Sequence, residues 1–337
     1  NLDIQSGGSI NVQGKGYSAG NGPGKPISGN AGGSYGGYGG ENSGPIYGSY
    51  TEPANLGSGG SSSSGGGSIK LTVGDTLTIS GSINANGAPY SWSNTSATGS
   101  GGSIWINTST IEGNGSMEAR GGLASNYTRG AGGGRIALYY TNNNYLGSFS
   151  ASSNRDGSAG TIYKKSSTQT YGDLIIDNDN TNSTKVTEFL DSGNFSFDSI
   201  TCQDQGKFNI KDNQSINTTN LTIGASGGSS ESQYTYLKNN GTFSATTVNL
   251  AGNFYYAESA TSSTTISGTT TIQSGGYLIG NNYEAINSFN DITVQSGGTI
   301  THDNNSTSET NKLNLNVTHN LDIQSGGSIN VQGKGYS

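Results

Sequence analysis

Asp173, Asp177 and Asp179, within YGDLIIDNDN, form the densest acidic group in the chain. If Asp177 and Asp179 share one strand face, their carboxylates with Asn178 or Asn180 offer hard oxygen ligands for Ca²⁺. A solvated turn built from the same residues is the competing reading, and the Gly- and Asp-bearing nonapeptide of calcium-binding β-rolls is missing. The same three acids are the best available group for polysaccharide cleavage, which needs paired carboxylates or a carboxylate with Arg or Lys. His302 and His319 are the only histidines, and neither stands at a metal-ligand spacing or near Cys202, the single cysteine. No SxxK occurs. The expectation is a protein that is not an enzyme and holds no cofactor, Ca²⁺ at Asp177 and Asp179 being the one exception to test.

Two other residue classes suit a surface role. Asn94, Asn107, Asn114, Asn126, Asn194, Asn217 and Asn240 head Asn-x-Ser/Thr sequons, which accept glycans where the machinery exists. Such sequons are about as frequent as this composition gives by chance, so their number argues nothing. Tyr35, Tyr38, Tyr47 and Tyr50 lie in residues 14–67, where Gly stands at nearly every second or third position and four of the five prolines fall. No strand or helix period survives there. A loop of this length is either functional or disordered. The functional reading is a lateral flap whose rings contact a neighbouring chain or a glycan, since Tyr gives large contact area at little entropy cost.

The elements that must position these residues are short strands. Leu2 and Ile4 alternate with polar residues, Ser6-Gly7-Gly8 interrupts, then Ile10 and Val12 alternate again. Alternation puts the apolar side chains on one face. The unit small-Gly-Gly-x-aliphatic returns at residues 65–69, 100–104, 132–136, 274–278, 296–300 and 325–329, with a degenerate copy at 158–162. Spacings of 35, 32, 22 and 29 residues within the clusters are those of a solenoid rather than of isolated hairpins. From Tyr171 onward Gly thins and Asn and Thr rise, but short alternating strands continue. The expected organisation is a Gly-rich half with Gly/Tyr loops (1–165), an Asn/Thr-rich half continuous with it (166–319), and the first strands of a next repeat (320–337).

Composition agrees with a narrow core. Apolar residues are 29% and Gly contributes 57 of 337 residues, too little apolar matter for a broad globular interior. Charged residues at 11% and 19 Tyr argue against disorder of the whole chain. A net charge of −7 with scattered Lys and Arg excludes a phosphate-tracking basic face, so no nucleic-acid partner is expected. No run approaches the length of a membrane span.

Residues 1–18, NLDIQSGGSINVQGKGYS, return unchanged as residues 320–337. Leu2, Ile4, Ile10 and Val12 thereby reappear as Leu321, Ile323, Ile329 and Val331, and these eight are the expected self-assembly residues. In order, GKGY, GGSYGGYGG, YGSYTEPANLGSGG, GGGSIKLTV, ISGSINANG, GGSIWI and GGGRIALYY make residues 1–150 resemble the Gly-rich repeats of very large bacterial and archaeal surface proteins. Residues 165–319 resemble only the looser class of filamentous-haemagglutinin-like β-helices. The resemblance implies an all-β, right-handed parallel β-helix (β-solenoid) with long Gly/Tyr-rich loop insertions, an extracellular or cell-surface place, and a role in adhesion or a surface fibre. The expected function is a structural repeat unit that continues head to tail with itself, as tandem repeats or as separate subunits associating end to end or laterally. The alternatives are an adhesin gripping surface glycans through its Tyr/Gly loops and a polysaccharide-active enzyme.

Overall fold

Alternating apolar residues form strands along almost the whole chain, and no α-helix occurs among the described residues, 1–89, 97–123 and 129–335 of the computed structural model. The chain divides into two compact units, Asn1–Thr187 and Glu188–Ser337. In the first, the strands are β1 (Leu2–Ile4), β2 (Ser9–Asn11), β3 (Ser68–Ile79), β4 (Ser82–Asn84), β5 (Ser103–Gly113), β6 (Ser116–Glu118), β7 (Arg135–Tyr140), β8 (Asn142–Tyr145), β9 (Ser148–Ser150), β10 (Thr161–Ser166) and β11 (Asp173–Asp177). Successive turns of chain build two sheets, β1-β3-β5-β7-β10-β11 and β2-β4-β6-β9, with β8 beside β5.

The registers put like on like. Ile69, Ile104, Ile136 and Ile162 form one ladder, and Leu71, Ile106 and Leu138 a second. Ile10, Ile83, Met117 and Phe149 form the ladder of the second sheet. Burying one aliphatic side chain is worth about 1.5–3 kcal/mol, so ladders give a core only one or two side chains wide real cohesion. One pair breaks the parallel rule: β11 runs antiparallel to β10, with Ile162 opposite Ile175. Only residues 167–172 connect them, and a parallel crossover needs a dozen residues or more.

Residues 14–67 carry no strand and are packed all the same: residues 31–37 are buried throughout. Their backbone groups bond to other Gly-rich segments. The Gly132 N–H donates to Gly33, the Gly36 and Gly37 N–H both donate to Gly133, and Gly66 donates to Ser100. Gly is required by the closeness of these segments: a Cβ on Gly133 would lie 1.8 Å from the Ala151 carbonyl oxygen. The expected lateral flap is thus a backbone-bonded layer.

In the second unit, β12 (Thr187–Glu188) lies at the division. Then come β13 (Gly193–Gln203), β14 (Lys207–Ile210), β15 (Gln214–Ile223), β16 (Tyr236–Asn239), β17 (Thr242–Leu250) and β18 (Asn253–Ala257). They are followed by β19 (Ser263–Ile272), β20 (Tyr277–Gly280), β21 (Ile286–Val294), β22 (Thr299–Thr301), β23 (Val317–Ile323) and β24 (Ser328–Ile329). Odd-numbered strands from β13 to β23 make one parallel sheet and even-numbered strands from β14 to β24 another. Cys202, Ile223, Leu250, Ile272, Val294 and Ile323 stack in register through one. Phe208, Leu237, Phe254, Leu278, Ile300 and Ile329 stack through the other.

The recurring Gly-Gly motif serves two purposes. In Ser6-Gly7-Gly8 and its copies at 274–276, 296–298 and 325–327 the first Gly is a left-handed turn residue (Gly7, φ 81°). At 65–67, 100–102 and 132–134 no positive φ occurs. There the glycines let neighbouring backbones touch.

Candidate functional site

The duplicated segment is held from opposite sides in its two settings. In the first unit β1 pairs with β3, Leu2 opposite Leu77 and Ile4 opposite Ile79, and β2 pairs with β4, Ile10 opposite Ile83. The Ile4 carbonyl accepts from Ser80 and Gly81, the Gly8 carbonyl accepts from Ser82, and the Val12 N–H donates to Asn84. These partners follow the segment in the chain. In the second unit the partners precede it: Leu321 lies opposite Ile292, Ile323 opposite Val294 and Ile329 opposite Ile300. Here the N–H groups of Gln324, Ser328 and Asn330 donate to Val294, Gly298 and Ile300.

Exposure follows. Ile4 is 6% exposed, whereas Leu321, Ile323, Ile329 and Val331 are 40–45% exposed. These four aliphatic side chains stand on or just beyond β23 and β24.

The loop tyrosines act within their own unit. Tyr35 is fully buried, which corrects its expected role as a surface contact. Its hydroxyl lies 2.6 Å from Ser103 Oγ, which itself donates to the Asn55 carbonyl. Burial, more than any neighbour, pushes the Tyr35 pKa up. Buried Arg135 donates through Nε and Nη2 to the Tyr47 carbonyl and through Nη1 to Thr161. Tyr47 donates to the Leu56 carbonyl at 2.6 Å, and Tyr50 packs edge-on to Tyr163 with its pKa pushed up by burial to about 12. Tyr38, Tyr47 and Tyr50 are each half-buried. Arg135 is the fastener that sequence reading missed, because within GGGRI it looks like an ordinary outward strand residue.

Asp177 and Asp179 form a turn, which corrects the Ca²⁺ reading. Asp177 accepts the Asp179 N–H at 2.7 Å, and the Arg120 guanidinium pairs with Asp179 at 2.7 Å. Among the described residues no cluster of three His, Cys, Asp or Glu side chains is arranged for a metal. Of the sequons, Asn107, Asn114, Asn194 and Asn217 are exposed. Asn240 is half-buried and its amide nitrogen donates to Asn209. Asn94 and Asn126 lie outside the described residues.

A paired-carboxylate site does exist, at residues not singled out from sequence. The Asn281 amide nitrogen donates to Glu258 at 2.7 Å and to Asp303 at 2.9 Å. Lys238 Nζ stands 3.9 Å from Glu258 and over the Tyr255 ring. Burial raises the Glu258 pKa, while Lys238 and the Asn281 bond oppose the shift. The shared amide occupies both carboxylates, so the arrangement is a polar ladder across three turns of chain. Beside it runs an open groove of about 440 Å³ lined by Tyr234, Tyr255, Tyr277, Asn253, Asp303 and Lys334. No helix among the described residues is long and apolar enough to cross a membrane. No protein-family model, no curated protein and no solved structure matches the chain.

Proposed function

We propose that this chain is one period of an extracellular structural fibre, built as a right-handed parallel β-helix and continued head to tail by further copies of the same sequence. The observation that carries the reading is the duplicated segment, whose two copies are engaged on opposite sides. Right-handedness follows the rule for crossovers between parallel strands of one sheet. An extracellular place accords with a single cysteine and a composition of Gly, Ser, Thr and Asn. The mechanism is assembly: apolar ladders and backbone bonds run along the axis, and no chemical step is required of any side chain.

The test is electron microscopy and fibre diffraction of the purified chain over rising concentration. Filaments with an axial reflection near ~4.8 Å are expected. Monodisperse particles at every concentration would sink the proposal.

An adhesive role has narrower support, the Tyr-lined groove of the second unit. Tyr carries apolar contact area and a polar tip, which suits sugar rings.

A further inference from the structure

Resting on the fibre reading, we propose that the boundary between successive copies is one shared turn of chain, not two stacked ones. Residues 320–331 of one copy take the place that residues 1–12 hold in the next. A second copy then lays its β3 and β4 on the open edge of β23 and β24, with Leu321 opposite Leu77, Ile323 opposite Ile79 and Ile329 opposite Ile83.

Three observations carry this register. First, the two settings use different groups of one sequence. Carbonyls of Ile4 and Gly8 and the N–H of Val12 serve the following side. The N–H groups of Gln324, Ser328 and Asn330, equivalent to Gln5, Ser9 and Asn11, serve the preceding side. A single turn can satisfy both sets at once, and each half of the resulting contact is already present in one unit.

Second, the side chains left open at one end are those covered at the other. Ile323 is 42% exposed, and its equivalent Ile4, under β3, is 6% exposed. Third, the stacked alternative sets like charges against each other. It would place exposed Asp3 on exposed Asp322 and Lys15 on Lys334, and like charges directly opposite in neighbouring strands are destabilising. In the shared turn Asp322 instead meets Thr78, the partner Asp3 already has.

The shared turn makes an unusual demand on isolated copies. The edge of β3 and β4 is already filled by the chain's own residues 1–12, so joining two copies means displacing an identical segment. Removing that segment creates a copy with one vacant edge and one matching turn to offer.

The experiment uses the full chain and a chain lacking residues 1–18, each carrying Thr78→Cys and Asp322→Cys. Paired residues on adjacent strands lie ~5 Å apart, within reach of a disulfide. The native Cys202 is buried and does not compete. Oxidation of the shortened chain is expected to give a disulfide-linked ladder joined 78 to 322, at about tenfold the yield of the full chain. Excess synthetic peptide of residues 1–18 should cap it to monomers. A full chain carrying Asp3→Cys and Asp322→Cys tests the stacked boundary. A ladder joined 3 to 322 would overturn the shared turn and leave the fibre reading standing. Monomers from all variants with the β-sheet signal intact would overturn both. Should the shortened chain lose that signal, the full chain refolded at high concentration decides: 78-to-322 links support the proposal, and 3-to-322 links or none reject it.

Discussion

The two units reach a stable core with little apolar matter by different means. Glu188–Ser337 relies on side chains: Phe208, Phe243, Phe254 and Phe289 are fully buried, and Phe243 and Phe254 meet edge to face at 5.4 Å. Asn1–Thr187 joins mainly aliphatic ladders to a layer in which Gly-rich segments bond backbone to backbone. In the first unit the material that must not be added is a methyl group. In the second the material that must not be lost is a ring.

The sharpest way to break that contrast is a pair of substitutions. Gly133→Ala should destabilise the first unit by more than about 3 kcal/mol, because the new methyl meets rigid backbone at 1.8 Å. Phe254→Ala should cost the second unit about 3–5 kcal/mol through the cavity it leaves. Cys202 reports on the second unit, since burial pushes its thiol pKa up to about 12 and hides it from reagents. Its labelling rate should rise with Phe254→Ala and stay near wild type with Gly133→Ala. Equal acceleration by both would dissolve the distinction.

A smaller effect should come from pH. Burial lowers the Lys207 pKa to about 8 from 10.5, so below about 8 the folded state carries a charge it holds poorly. The unfolded chain binds more protons between the two values, and stability therefore rises with pH from about 8. Buried tyrosines act in the opposite sense above about 10, because burial raises their pKa and folding then favours the proton. Chemical denaturation between pH 8 and 10 should show the second unit gaining on the order of 2 kcal/mol, and Lys207→Met should flatten the gain.

The smallest change expected is a stabilising one. Thr270 stands in the ladder of Ile200, Leu221, Val248, Ile292 and Leu321, and its buried hydroxyl has no partner among the described residues. Thr270→Val should raise stability by about 1 kcal/mol, measured as a higher denaturation midpoint.

Much of the strand pattern was legible because alternation is local. Ser68-Ile69, Ser103-Ile104 and Arg135-Ile136 follow three Gly-Gly copies, and the same alignment is the observed register. The two meanings of that motif were not legible. Whether Gly takes a left-handed turn or admits a neighbouring backbone depends on what lies beside it in space. Tyr35 reads as a ring for a partner until Ser103, 68 residues on, is placed against its hydroxyl. Glu258, Asn281 and Asp303 are unremarkable singly and become a ladder only when three turns of unequal length stack.

The amino-acid sequence by itself determined that the chain is built of alternating strands and that its first and last 18 residues are one repeated piece. Tertiary structure alone decided which side of that piece each copy uses. Alternation assigns side chains to faces, but the N–H and C=O groups along a strand's edges are satisfied by whichever segment arrives beside it. That choice belongs to neighbours about 30 and 75 residues away, such as Asp291 for Asn320 and Leu77 for Leu2.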